Sequence, residues 1–294
     1  VSVIKTAGKW NPAEGPIYFI AADTGALKLG AVCHTHLLCA LDRIQSANDL
    51  EDIRTFIRTG KVVMLDSGVF FLAMRHAEKT GTNLAEALSV SPTELDGFDQ
   101  LFEDYVALMK EVGHDSWGYV EIDQGGRDNK IKTRAALEAL GLRPIPVYHP
   151  LTDGWDYFDY LAQRYDRICF GNVVHADRAT RKRMLATAWK RKEKYPNLWV
   201  HMLGHTPSET CNAYPTNSCD SSTWLAMARW PADRYQSTCA LQAFSAMPME
   251  FSYRLDSDSD SETGSKKAKR WGGYESYIMM RTLRGVQEDM ARLM

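Results

Sequence analysis

Long apolar runs, charge of one sign and regularly spaced cysteines are all missing from this chain, and each absence removes a class of protein. No segment of its 294 residues stays apolar over the roughly 20 residues that a membrane helix needs, and no cleavable leader pattern is present. Six cysteines, Cys33, Cys39, Cys169, Cys211, Cys219 and Cys239, are scattered rather than set at the short spacings of a disulfide framework. The expectation is a soluble, cytoplasmic protein in a reducing compartment with no membrane partner. The formal net charge of −2 removes global attraction to nucleic acid, so any such affinity must come from a local basic face. A Gly-rich dinucleotide turn is also missing after the first apolar run.

What is present is a ladder of short apolar runs that stop at Gly, Asp or His, each followed by a helical-looking stretch. They cover residues 17–23, 62–68, 117–123, 144–149, 167–171 and 198–204. Buried parallel strands read this way, because both faces are covered and polar residues are confined to the strand ends. From Asp66 through Asp123, His149 and Gly171 to Gly204 the steps are 57, 26, 22 and 33 residues, and three of the four suit one βα unit of about 30 residues. The long step holds two candidate helices, 83–88 and 95–112, punctuated by Ser91-Pro92, which reads as an insertion. A doubly wound open sheet gives similar alternation; a barrel is favoured because polar residues cluster at so many strand ends. The predicted fold is α/β, a (β/α)8 barrel of the TIM type over residues 1–250. It carries an insertion near the barrel mouth and a C-terminal extension over 251–294.

Two carboxylates stand out. Asp66 ends the run Val62-Val-Met-Leu-Asp66, and Asp220 lies in the polar cluster Asn217-Ser-Cys-Asp220-Ser-Ser-Thr223. Cleaving a glycosidic bond needs one group to hold the sugar carbon and another to handle the proton of the leaving group, which two carboxylates supply. Each is also a good helix cap in its local sequence. Asp123 is equally suited to opening the loop 124–127, His149 to a core position, and Gly171 to a plain strand end. The cluster Cys33, His34, His36 and Cys39 has metal-ligand types, but it reads as an apolar, helix-like segment upstream of the barrel motifs that begin at residue 62, and no metal is expected.

The series Leu65-Asp66-Ser67-Gly68, Ile122-Asp123, Phe170-Gly171, Met202-Leu203-Gly204-His205-Thr206-Pro207 and Cys219-Asp220 resembles the ordered motifs of guanine transglycosylases of the tRNA-guanine type. His149 after Pro146-Val-Tyr, and Ser218-Cys-Asp-Ser-Ser-Thr-Trp224, are similar to the DNA-acting branch, the DpdA-like proteins of phages and bacteria that put 7-deazaguanines into DNA. The resemblance covers residues 62–224. It implies exchange of guanine in DNA for a 7-deazaguanine base such as 7-cyano-7-deazaguanine, with no cofactor. In that scheme Asp220 is the covalent nucleophile and Asp66 the proton shuttle, while Asp123, His149, Gly171, Asn172 and Gly204 hold the base. A tRNA-acting enzyme is the alternative. It is disfavoured because those enzymes carry closely spaced cysteines and a histidine after the nucleophile, and only Cys239 and no histidine follow Asp220 here. A third reading is a non-catalytic nucleic-acid-binding subunit of the same fold, against which stands the presence of both Asp66 and Asp220.

Contact with DNA needs positive charge. The stretch 178–194 supplies Arg178, Arg181, Lys182, Arg183 and Lys190 as candidate phosphate contacts, or else a solvated outer helix. Farther on, the acidic tract 256–262 and the basic tract Lys266-Lys-Ala-Lys-Arg270 read as a loop that orders against DNA through its basic part, or else as an exposed linker before a last helical segment over 274–293. Trp224, Trp230 and Trp271 are candidates to stack on displaced bases, or else core residues.

Overall fold

Short apolar runs cannot satisfy their own backbone as strands, so each must lie between two neighbours. The computed structural model describes residues 3–12, 17–31, 34–173, 176–204 and 216–222, the side chain of residue 29 excepted. In chain order the elements are β1 (Ile17–Ala21), α1 (Thr24–Ala31), β2 (His36–Ala40), α2 (Ala47–Arg58), β3 (Val62–Asp66), α3 (Val69–Thr80), α4 (Leu84–Ala87) and α5 (Phe98–Val112). They continue with β4 (Gly118–Tyr119), α6 (Gly126–Ala139), β5 (Val147–Tyr148), α7 (Trp155–Arg164), β6 (Arg167–Phe170), α8 (Arg178–Lys192), β7 (Trp199–Met202) and β8 (Ser218–Ser221). All eight strands are parallel, in the order β4-β3-β2-β1-β8-β7-β6-β5. The two outer strands meet at the parallel bridge between Val120 and Ile145. There Ile145 N donates to Tyr119 O at 2.7 Å and Glu121 N to Ile145 O at 3.0 Å, so the strands run round as a ring.

Side chains of alternate residues fill that ring. Phe19, Leu38, Met64, Val147 and Cys169 are buried inside it, while Tyr18, Ile20, Leu37, Val63 and Leu65 pack outward with the buried faces of α2 and α5. This is the period-2 division expected of a barrel whose interior is packed rather than open. Ser46 caps α2 by accepting from Asp49 N, and Asn83 and Glu86 form a capping box on α4, which is why the chain turns into helix at those points.

The floor of the ring is closed by the N-terminal segment. Arg167 at the start of β6 is fully buried between the rings of Trp10 and Trp117, at 4.6 and 4.7 Å. Its guanidinium donates to Thr6 Oγ1 at 2.6 Å, Trp117 O at 2.9 Å and Ala7 O at 2.6 Å. One side chain therefore ties the segment 6–10 to β4 and β6. Gly8 lies so close that a Cβ there would stand 2.4 Å from Trp117 O.

One expectation is corrected. Residues 36–40, expected in a helix upstream of the barrel motifs, form β2 between β1 and β3; so short an apolar run is ambiguous by itself, and a partner on each side makes it a strand. The polar cluster around Asp220 is strand β8, paired with β1 and β7. Between β3 and β4 the chain holds the two longer helices α3 and α5, with the α4 region hydrogen-bonded to the loop after β4 through Gln124 Nε2 to Ala87 O at 2.8 Å and Gly125 N to Leu88 O at 3.1 Å. The expected extension over 251–294, with its tracts, its tryptophan and its final helix, lies outside the described residues.

Replacing Arg167 with Leu should destabilise the protein by about 3 kcal/mol, because two carbonyls and a hydroxyl lose their buried donor. Urea denaturation at pH 7 measures this, and a loss below about 1 kcal/mol would mean that the floor closes without the guanidinium.

Candidate active site at the strand ends

Parallel strands deliver their C-terminal ends to one face, and four of the polar residues singled out in the sequence arrive there with one glycine. Asp66 ends β3, Asp123 follows β4, His149 follows β5, Gly171 follows β6, and Asp220 lies within β8 opposite Phe19 of β1. Neither Asp66 nor Asp220 caps a helix. The N-cap of α3 is Gly68, with a left-handed φ of 74° and no side-chain cap, and Asp220 is inside a strand.

The surroundings of Asp66 and Asp123 shift their carboxyls in opposite directions. Burial, then the negative charges of Asp123 and Asp220, push the Asp66 carboxyl up to about 7, against only a backbone hydrogen bond from Ser67. Burial pushes Asp123 in the same direction, but the His149 hydrogen bond and the charges of His149 and Lys130 outweigh it and hold Asp123 below its ordinary value. His149 Nε2 lies 2.8 Å from Asp123 Oδ2. Asp220 accepts two hydrogen bonds on a single oxygen, Oδ1, from Gly204 N at 2.9 Å and from the His201 Nε2 side at 3.1 Å.

Behind Asp123 stands a buried polar layer. His149 N donates to Asp153 Oδ2 at 2.7 Å, and the same oxygen pairs with Lys130 Nζ, which also donates to Val147 O at 3.1 Å. Glu121 Oε1 accepts from Val147 N at 2.6 Å, while its Oε2 pairs with Arg134 Nη1 at 2.7 Å. Four charged side chains thus fix the short strand β5, whose two residues alone would hold His149 loosely.

The expected base-binding residues divide. Asp123 is partly exposed and faces the mouth. His149 is buried, and its Nε2 lies against Asp123, so the ring orients that carboxylate. A Cβ at Gly171 would stand 2.7 Å from His149 Cδ2, so the glycine is required by the histidine ring. Asn172 adopts a left-handed φ of 61°, a conformation asparagine tolerates better than most residues. Gly204 offers its N–H to Asp220. Among the candidate phosphate contacts, Arg178, Lys182, Arg183 and Lys190 are exposed on α8. Arg181 is not: it is buried, with Nε donating to Val173 O at 3.1 Å and Nη2 to Ala176 O at 2.7 Å. The expectation that Arg181 meets phosphate is corrected, since its guanidinium closes the loop that enters α8.

His201 was missed by the sequence reading, although Trp199, His201 and Leu203 share the inward parity of β7. Burial and nearby carboxylates push the Cys39 thiol far above its ordinary value. Among the described residues no group of three or more His, Cys, Asp or Glu is placed to hold a metal ion. Cys33, Cys211, Cys239, residues 205–207, Trp224 and Trp230 lie outside the described residues. A groove of about 660 Å³ between α2, α3 and α5 runs beside the β3 turn and is lined by none of the three carboxylates.

Asp66 carries a stability signature. Its folded-state proton affinity is raised, so the unfolded chain ionises first as pH rises, and stability from this group is lost between about pH 4 and pH 7. Asp66→Asn should therefore be more stable than the parent at pH 8, by about 1–2 kcal/mol once partial exposure is allowed for, and nearly equal at pH 4. Urea denaturation at the two pH values checks this; equal stability at pH 8 would place Asp66 in the ordinary carboxylate range.

No protein-family model matches the chain, and no curated protein matches it. Among solved structures it is similar to a protein from Aquifex aeolicus VF5, at 12% identity over 76% of this chain and 86% of that one, with a TM-score of 0.46. It is similar to the tryptophan synthase alpha chain from Legionella pneumophila subsp. pneumophila, at 11% identity over 91% and 92%, TM-score 0.43. A native KDPGal structure matches at 8% identity over 95% and 99%, TM-score 0.40. Similarity at this level assigns no activity.

Proposed function

We propose that the protein exchanges guanine in DNA for a 7-deazaguanine base by two displacements at the strand ends. The observation that carries this reading is the division of labour between two carboxylates. Asp66 holds a proton up to about pH 7, beside Asp220, whose hydrogen bonds both fall on Oδ1 and leave Oδ2 for the sugar carbon. Asp220 Oδ2 attacks C1′, the C1′–N9 bond breaks, and the electron pair goes to the departing guanine, which takes the Asp66 proton. The incoming base then attacks C1′ through N9, the C1′–Oδ2 bond breaks, and the N9 proton returns to Asp66. Two inversions preserve the anomeric configuration.

The ionised Asp123 is suited to the N1 hydrogen and exocyclic amine of a guanine edge, an edge that both bases share. To reach C1′ the nucleotide must leave the stack, as in other enzymes that act on a base. DNA rather than tRNA is favoured by the resemblance of His149 and of residues 218–224 to the DNA-acting branch and by the missing zinc motif. The polymer is therefore selected by surfaces outside the pocket, for which α8 supplies exposed cations.

Incubation with labelled guanine and duplex DNA, single-stranded DNA or tRNA tests the reading. Label should enter DNA, and Asp220→Asn should reduce exchange by at least about 10³-fold while leaving DNA binding intact. Incorporation into tRNA alone would replace DNA as substrate. The pH profile has a stated sign: release of guanine needs protonated Asp66 and falls above about pH 7, whereas capture of the incoming base needs the ionised form and falls below it. Asp66→Asn should remove both limbs along with most of the activity. Neutralising Lys182, Arg183 and Lys190 together should weaken DNA binding across sequences and flatten its salt dependence, while exchange at saturating DNA declines much less. Unchanged affinity at several salt concentrations would move the DNA surface elsewhere.

A further inference from the structure

A chain of hydrogen bonds runs through the barrel interior to Asp220. Trp199 Nε1 donates to Ser218 Oγ at 2.8 Å, and that oxygen lies 2.8 Å from His201 Nδ1. His201 Nε2 lies 3.1 Å from Asp220 Oδ1, which Gly204 N also reaches at 2.9 Å. Trp199, His201 and Ser218 are buried, so water offers them no alternative partners. The chain has a direction. An indole nitrogen only donates, so Ser218 Oγ accepts from Trp199 and has a single proton to give. At the other end Asp220 Oδ1, a carboxylate oxygen, can only accept, so the His201 proton that faces it sits on Nε2, and the Ser218 hydroxyl has Nδ1 before it as the place for its proton.

Two N–H groups thus converge on one oxygen of the carboxylate. We propose that His201 is a positioning residue that commits Asp220 to attack through Oδ2 and makes the same carboxylate a competent leaving group in the second displacement. This rests on the transglycosylase reading of the site. In the glycosyl ester Oδ1 is the carbonyl oxygen, and as the C1′–Oδ2 bond breaks, the returning electron pair spreads onto both oxygens. Donors already fixed at Oδ1 stabilise that charge as it develops. The same donors stabilise the free carboxylate before attack, so their net effect is to shorten the life of the ester rather than to speed its formation. The other groups that face Asp220 make this assistance necessary. Among the described residues, Asp66 from β3 is a carboxyl and Cys169 from β6 a buried thiol, both near enough to feel the charge of Asp220, and neither supplies a positive charge.

The test compares His201→Phe, which fills the space without a donor, with His201→Gln, whose amide can place an N–H near the position of Nε2. Exchange of labelled guanine and the fraction of protein covalently attached to DNA after denaturation are measured together. His201→Phe should lower kcat by about 10²-fold with a smaller change in KM for DNA, and should raise the trapped ester severalfold over the parent. His201→Gln should recover at least about tenfold of that loss. A fall in kcat with no rise in trapped ester, or an equal loss in both variants, would assign His201 to packing alone and overturn the inference. If His201→Phe does not fold, Ser218→Ala decides. It removes the hydroxyl that holds the tautomer with little change in volume, so it should also raise the trapped ester, and an unchanged ester fraction would overturn the inference. Failure of the parent protein to exchange guanine in DNA and in tRNA alike is a separate outcome: it removes the functional reading, and the role of His201 with it.

Discussion

Three carboxylates brought to one buried mouth cannot all keep their charge, and most of the polar architecture follows from that constraint. Each ionised oxygen taken from water needs a donor or a cation to replace the lost hydration. Asp123 receives His149, with Lys130 behind it, and stays charged. Asp220 receives Gly204 N and His201. Asp66 receives little more than a backbone N–H, so it is the one that keeps a proton to about pH 7. The acid among three like residues is chosen by what its neighbours lack.

The supports are themselves buried and charged. The pairs Lys130–Asp153 and Arg134–Glu121 are almost completely shielded from solvent. Such pairs seldom add net stability over a well-packed apolar core, because desolvation offsets their attraction. They do add geometry. Both reach the backbone of β5, at Val147 O and Val147 N, and Asp153 also takes His149 N, so a two-residue strand is held firmly enough to aim His149 at Asp123. At the opposite end of the barrel Arg167 performs a comparable task with three uncharged acceptors and two indole rings. Mouth and floor are therefore both organised by cations placed where apolar packing alone would leave backbone groups unpaired.

Where the sequence was legible, the reason was periodicity. The runs 62–68, 167–171 and 198–204 contain β3, β6 and β7, and the helices read over 83–88 and 95–112 contain α4 and α5. The strand-end position of Asp66, Asp123 and His149 follows from the same pattern, since a parallel strand covered on both faces becomes polar only where it emerges. β2 was misread because its apolar run, standing alone, fits a helix or a strand equally well. β8 was not identified because Ser-Cys-Asp-Ser has no apolar signal of its own.

The amino-acid sequence by itself determined the alternation of strand and helix and the placing of carboxylates at strand ends, because both are local consequences of hydrophobic pattern and chain direction. Only the tertiary structure decided that residues 218–221 would be a strand, because a polar segment extends there when β1 and β7 offer it backbone partners on both sides. It alone decided that Arg181 turns inward, that Gly171 makes room for His149, and that His201 reaches Asp220. It also decided which carboxyl holds the proton, because that depends on charges and donors that are far apart along the chain and adjacent only in the folded barrel.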